Sequence, residues 1–164
     1  MREALFISSP AFADMERIPD EYTGFGEDVS PELRLENVCE ETESIVVIMD
    51  DLDIPIRGIL NHWVIWNIPR TEIIPKAIPA GETVVFLEKV KTLRNAVQGV
   101  AYGKHRYRGP KIPFFLKNKH RYVFRVYCLD TYLELPVTAR KRDVEKAMEG
   151  HVLQAGNLTG MYQL

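Results

Sequence analysis

Asp51, Asp53 and His62 stand close together between two apolar runs, Ile45–Met49 and Trp63–Ile68. Both runs are rich in β-branched and aromatic residues and predict buried strands. The two carboxylates and the imidazole therefore fall at the mouth of a core. Taking a carboxylate out of water costs free energy unless hydrogen bonds or an opposite charge compensate. Polar, titratable groups in such a place are candidates for binding or proton transfer. Asp51 reads as the pocket carboxylate. Asp53, just ahead of Ile54-Pro55, suits equally well a structural role in which its carboxylate accepts backbone N–H groups of the loop. Taken alone, a histidine at the start of a buried strand reads as a satisfied core residue.

Two chemistries are open to this set. With His120 as a further member, Asp51, Asp53 and His62 could serve an acid–base or metal-assisted phosphohydrolase. Against it, His62, His105, His120 and His151 show neither His-x-His nor His-Glu-x-x-His spacing, and no Ser or Cys sits in a nucleophile elbow. The carboxylate pair also lacks the additional acidic residues of a two-metal site. The sequence thus predicts no catalytic residue, metal or cofactor. The other chemistry is binding without turnover. Imidazole N–H, phenol O–H and backbone N–H groups can surround phosphate oxygens, while an ionised Asp accepts from an ammonium or orients a histidine. A phosphate tethered to an amine would satisfy both ends.

The elements that must hold these groups are mostly strands. Leu5–Ser8 predicts a short strand, and Pro31–Val38 one with a wet face. Thr83–Lys91 is another candidate, with Lys91–Lys104 a glycine-containing loop after it. In His120–Leu129, Tyr122, Phe124, Val126 and Cys128 alternate with Arg121, Val123, Arg125 and Tyr127, the pattern of a central strand with one partly polar side. Val144, Ala147, Met148 and Val152 recur at helical spacing, with Thr138 or Asp143 as cap and Gly156-Asn157 as stop. Leu158–Leu164 then predicts a last short strand. The Gly24-Phe25-Gly26 stretch invites a phosphate-loop reading, but Glu27 and Asp28 follow where an anion would sit. Many strands and one late helix exclude a βαβ pattern and predict a mainly β, antiparallel fold.

Two ordered motifs carry a resemblance. Asp51-Leu52-Asp53-Ile54-Pro55 followed by His62-Trp63, and Tyr107-Arg108-Gly109-Pro110 followed by His120-Arg121-Tyr122 and Leu129-Asp130, resemble the signatures of the phosphatidylethanolamine-binding protein family in its bacterial and archaeal style. The likeness runs from Phe6 through Ser30-Pro31 to the end of the chain. It implies a Greek-key-like central sheet packed with a smaller sheet and a C-terminal helix, forming one domain over residues 1–164. It also implies a small anion pocket for phosphorylated head groups, built from Asp51, Asp53, Pro55, His62, Tyr107, Gly109, the backbone of Lys111, Pro113, His120 and Tyr122. Eukaryotic relatives inhibit kinases or proteases or act as scaffolds, which implies docking onto a protein partner that the chain does not name. The family usually has a small residue where Lys111 stands, Pro where Ile112 stands, and a short Gly-rich link where this chain has Phe114–Lys119.

Composition bounds the rest. A length of 164 residues with 46% apolar content suffices for a single core. A net charge of −2 weighs against nucleic acid as a partner, although Lys104–Arg108 and Lys117–Arg121 interleave basic and aromatic residues. Cys39 and Cys128, lacking Cys-x-x-Cys spacing, read as buried free thiols in a reducing compartment. The apolar run Ala4–Ile7 is shorter than the roughly seven residues a signal peptide needs, and no stretch approaches the roughly 18 of a membrane span. A soluble, cytoplasmic protein is expected. The apolar Phe114-Phe115-Leu116, in a loop, predicts self-association, as a dimer.

Overall fold

A computed structural model describes residues 2–86 and 95–164. In chain order its strands are β1 (Phe6–Ser8), β2 (Leu33–Glu36), β3 (Ser44–Ile54), β4 (Gly58–Pro69), β5 (Ile73–Ile74), β6 (Thr83–Val84), β7 (Ala96–Gln98), β8 (His120–Leu129) and β9 (Val152–Tyr162), with helix α1 (Lys141–Met148) between the last two. A small sheet has the order β1-β2-β5 and a large one the order β6-β7-β4-β3-β8-β9. The pairings between these strands are antiparallel. The expected class is the observed one: mainly β, a large antiparallel sheet packed with a smaller one, and a helix near the C-terminus. Between β7 and β8 the chain crosses from one flank of the β3–β4 hairpin to the other, in Greek-key manner. That crossing carries the second motif over the end of β3 that bears Asp51.

The alternation along the central strands assigns each face. Ile45, Val47 and Met49 of β3, Trp63 and Ile65 of β4, and Phe124, Val126 and Cys128 of β8 pack with Ile7, Leu33, Leu35 and Ile74 of the small sheet. Val46, Ile48, Val64 and Trp66 face the other way, onto Val144 and Met148 of α1. Each such aliphatic or aromatic side chain contributes about 1.5–3 kcal/mol when removed from water. On this second face lies Asp50, buried, accepting from Arg125 Nη1 at 2.8 Å, Lys141 Nζ at 2.7 Å and Asn61 Nδ2 at 3.0 Å. The carboxylate thereby ties the first turn of α1 to the sheet.

Several boundaries differ from expectation. The helix stops at Met148 and turns at Gly150, which has φ of +80°. Gly156 does not end it. That glycine sits inside β9, where a Cβ would lie 2.5 Å from the Leu5 carbonyl oxygen, so it serves a close backbone approach and not a helix stop. The last strand accordingly starts at Val152, paired with Leu129. Arg140 holds the N-cap position, and Asp143, in the first turn, accepts from the Arg140 N–H at 2.9 Å; Thr138 does not cap. The predicted loop 91–104 contains β7, because Val97 pairs with Trp66 and Thr83. Of the strand predicted over 83–91, Thr83–Val84 is a strand, and 87–91 lie outside the described residues. Cys128 is a buried free thiol, pushed up to about 11 by burial, whereas Cys39 is only half-buried.

Candidate functional site

The arrangement starts from an irregularity in one strand. Between Met49, paired with Trp63, and Asp50, paired with Asn61, β4 carries one residue more than β3, and that residue is His62. In a regular strand His62 and Trp63 would point to opposite faces. A bulge re-aims a side chain, and here both residues reach the side that faces the small sheet. Trp63 packs in that core and donates from Nε1 to Gln98 Oε1 at 2.8 Å. His62 sets its ring edge-on to Tyr122, centroids 5.3 Å apart. The Asn61 side chain, turned to the opposite face, donates to the carbonyls of Met49 and Trp63 that flank the bulge, each at 3.0 Å.

Register then adds the partners. Asp51 lies opposite Tyr122 of β8, and His120 is two positions from Tyr122 on the same side. His120 Nδ1 is 2.7 Å from Asp51 Oδ2, and the rings of His120 and Tyr122 stack at 6.3 Å. Asp51 Oδ1 also accepts from the Asp53 N–H at 2.9 Å. Asp51, His62, His120 and Tyr122 are each 3% exposed or less. A carboxylate so deep is tolerable because charge-assisted hydrogen bonds replace its water. Burial, with the Asp51 carboxylate adding to it, holds the Tyr122 phenol far above its usual range, so it remains a donor.

His62 Nδ1 lies 2.8 Å from the Arg108 carbonyl oxygen. Burial pulls its pKa below the usual value, a direction opposed by that hydrogen bond and by Asp51. Outside His62 stands Tyr102, its hydroxyl 3.5 Å from His62 Nε2 and its ring edge-on at 5.1 Å. The Arg108 guanidinium lies 3.8 Å above the Tyr102 ring centroid, a cation–π contact. Tyr102 and Arg108 thus make the outer wall of the cluster. Neither belongs among the ten residues expected from sequence. Tyr102-Gly103 is legible as a turn, but nothing in the sequence aims the phenol at His62.

The other expected residues lie elsewhere. Asp53 sits at the rim, where Oδ2 accepts from the Arg121 N–H at 2.8 Å and its two oxygens take the Arg121 guanidinium at 2.9 Å each. The Arg121 hydrogen bonds keep the Asp53 carboxyl below its ordinary pKa. Asp51 and Asp53 are strand residues of β3, not loop residues, and the connecting turn is only Pro55–Arg57. Pro55 is exposed at that tip and Pro113 is exposed too. Tyr107 is buried against Trp63 and donates its hydroxyl to the Tyr22 carbonyl at 2.7 Å. Gly109 donates its N–H to Asp28 Oδ1 at 2.7 Å, and a Cβ there would lie 2.0 Å from the Tyr22 carbonyl oxygen. These two therefore fasten the crossing loop to the Tyr22–Asp28 segment, correcting the expectation that their donors face a ligand. The Lys111 side chain packs on Gly24. Asn118, from the long Phe114–Lys119 link, has Oδ1 3.3 Å from His120 Nε2 and donates from Nδ2 to the Asp53 carbonyl at 3.4 Å. His105 Nδ1 bonds to the Gln98 carbonyl and His151 Nδ1 to Asp130, both at 2.8 Å. Among the described residues no three His, Cys, Asp or Glu side chains group as a metal ion would need, and no helix is long and apolar enough to cross a membrane.

Comparison with known proteins bears on the family and the fold. The family model described as phosphatidylethanolamine-binding protein matches residues 8–163. A UPF0098 protein of Pyrococcus abyssi is 41% identical over 156 residues, covering 94% of this chain and 83% of that one. A UPF0098 protein of Methanothermobacter thermautotrophicus is 41% identical over 158 residues, 96% of this chain and 97% of the other. A crystal structure of a phosphatidylethanolamine-binding protein homolog from Chlamydia trachomatis superposes with a TM-score of 0.81 at 29% identity, covering 98% of each chain. Escherichia coli YbcL shares the fold, with a TM-score of 0.81 at 22% identity over 99% of each chain.

Proposed function

Because this chain belongs to the phosphatidylethanolamine-binding protein family, we propose that it binds a phosphorylated head group or a similar small anion, without turnover, at the cluster of His62, Asp51, His120 and Tyr122. The observation that carries the reading is the β4 bulge, which brings His62 from one motif against Tyr122 from the other, with Arg108 at their outer wall. Phosphate oxygens would take hydrogen bonds from protonated His62 and from the Tyr102 hydroxyl, and the Arg108 charge would favour the anion. Asp51 would hold His120 in place and offer an oxygen to an ammonium. The phosphohydrolase alternative gains no support from the relatives. His120 is also a poor free base, since its nitrogens face Asp51 and Asn118.

Titration calorimetry with phosphate and with phosphoethanolamine tests this. His62→Ala should lose binding of both while its thermal unfolding stays cooperative. Wild-type affinity in that variant overturns the reading, and release of phosphate from phosphoethanolamine by the wild-type protein would restore the hydrolase. In the same reading the protein self-associates through Phe114 and Phe115, and any docking on another protein is left to a partner the site does not specify.

A further inference from the structure

Beside the cluster lies a cleft of about 230 Å³ lined by Gly24, Asp28, Tyr102, Lys104, Arg106, Arg108 and Lys111, with Ala101 at its edge. Four of these are cationic in a protein whose net charge is −2. The one carboxylate, Asp28, is already satisfied: Oδ2 takes the Arg106 guanidinium at 2.6 Å and Oδ1 the Gly109 N–H. Lys104, Arg108 and Lys111 form no ion pair among the described residues. The cleft therefore carries excess positive charge in a concave place, which attracts and retains anions.

Its walls are held in shape. Tyr102 and Gly103 form a two-residue turn, φ +53° and +66°, closed by hydrogen bonds of 3.1 and 3.0 Å between the backbones of Ala101 and Lys104. Left-handed backbone is unusual for a tyrosine, and this one is spent in placing the phenol between His62 and the cleft. On the facing side Gly24 donates to the Pro110 carbonyl at 2.8 Å, and a Cβ at Gly24 would lie 2.7 Å from Lys111 Cδ. Only a glycine lets the lysine stem lie there, which directs Lys111 into the cleft.

We propose that this cleft is a second anion subsite, so that the ligand is a small soluble molecule with two anionic groups, such as a diphosphate or a phosphomonoester bearing a carboxylate. One group would meet His62 and Tyr122 and the other Lys104, Arg108 and Lys111, with Tyr102 as the shared wall. The assignment of the first group rests on the proposed head-group pocket. That of the second rests on the cleft alone.

The test is calorimetry with inorganic phosphate and pyrophosphate at one fixed ionic strength, on the wild type, His62→Ala and the double variant Lys104→Ala/Lys111→Ala. Wild-type protein should bind pyrophosphate about tenfold or more tighter than phosphate, the yield of one added hydrogen bond to a charged group. The double variant, whose changes lie on the surface, should lose that preference and keep most of its phosphate affinity. Equal affinity for the two anions in the wild type overturns the subsite, as does a double variant that weakens both equally or neither. If His62→Ala leaves phosphate binding intact while the double variant still abolishes the preference for pyrophosphate, the pocket reading fails and the cleft stands.

Discussion

The carbonyl oxygen of Arg108 lies 2.8 Å from His62 Nδ1. A carbonyl only accepts, so Nδ1 carries a proton, and in the neutral ring Nε2 is left as an acceptor facing Tyr102. Burial keeps His62 below its usual pKa, hence neutral near pH 7. To hold an anion, Nε2 must gain a proton. Binding of sulfate, which does not itself titrate in this range, should therefore tighten as pH falls from 8 to 6, by up to about tenfold per unit where one proton is taken up. Calorimetry across that range should show the rise in wild-type protein and a flat profile in His62→Gln.

The same depressed pKa bears on folding. An unfolded chain takes up the His62 proton near 6.5, the folded chain only at lower pH. The contribution of neutral His62 is thus fully present above 6.5 and is lost as pH falls toward the folded value. Melting temperatures measured from pH 8 to 4.5 should drop across that window, and His62→Gln should lack that part of the drop.

Asp50 is fully buried between Arg125 and Lys141. Replacing it by alanine leaves two cations facing each other without their counter-charge, which should destabilise the protein by about 3 kcal/mol. Urea unfolding of Asp50→Ala measures this. Asp50 lies on the opposite face of the sheet and is the smallest of the charges that raise the His62 pKa, so phosphate affinity should fall only slightly.

Asp53 and Arg121 form a bidentate pair at the solvent edge. Asp53→Asn should change stability by no more than about 1 kcal/mol and leave phosphate binding intact. A loss of binding comparable to that of His62→Ala would return Asp53 to the pocket.

Phe114 and Phe115 are 82% and 66% exposed and touch each other edge to face, while Leu116 packs against the core. Two adjacent exposed rings are unfavourable in water. Light scattering at micromolar concentration should give about twice the monomer mass of 18.9 kDa, and Phe114→Ser/Phe115→Ser should give the monomer mass.

What the sequence determined by itself is the central strands of the large sheet and the neighbourhood of the site, while the short β5 and β7 came only with the tertiary structure. Period-two alternation in His120–Leu129 and the apolar runs around Asp51 and His62 depend only on local pattern, and each became a central strand of the large sheet. The two motifs likewise brought Asp51, His62, His120 and Tyr122 together. Tertiary structure decided which groups remain available. Alternation puts His62 and Trp63 on opposite faces, and a register shift against β3, invisible in β4 alone, puts them on one. Tyr107 and Gly109 carry the right donors, but Tyr22 and Asp28, about 80 residues away in sequence, accept those hydrogen bonds first. Tyr102 reaches His62 because backbone hydrogen bonds hold its turn against β4, and the direction of a side chain from a turn follows from the backbone conformation there and not from the residue's type.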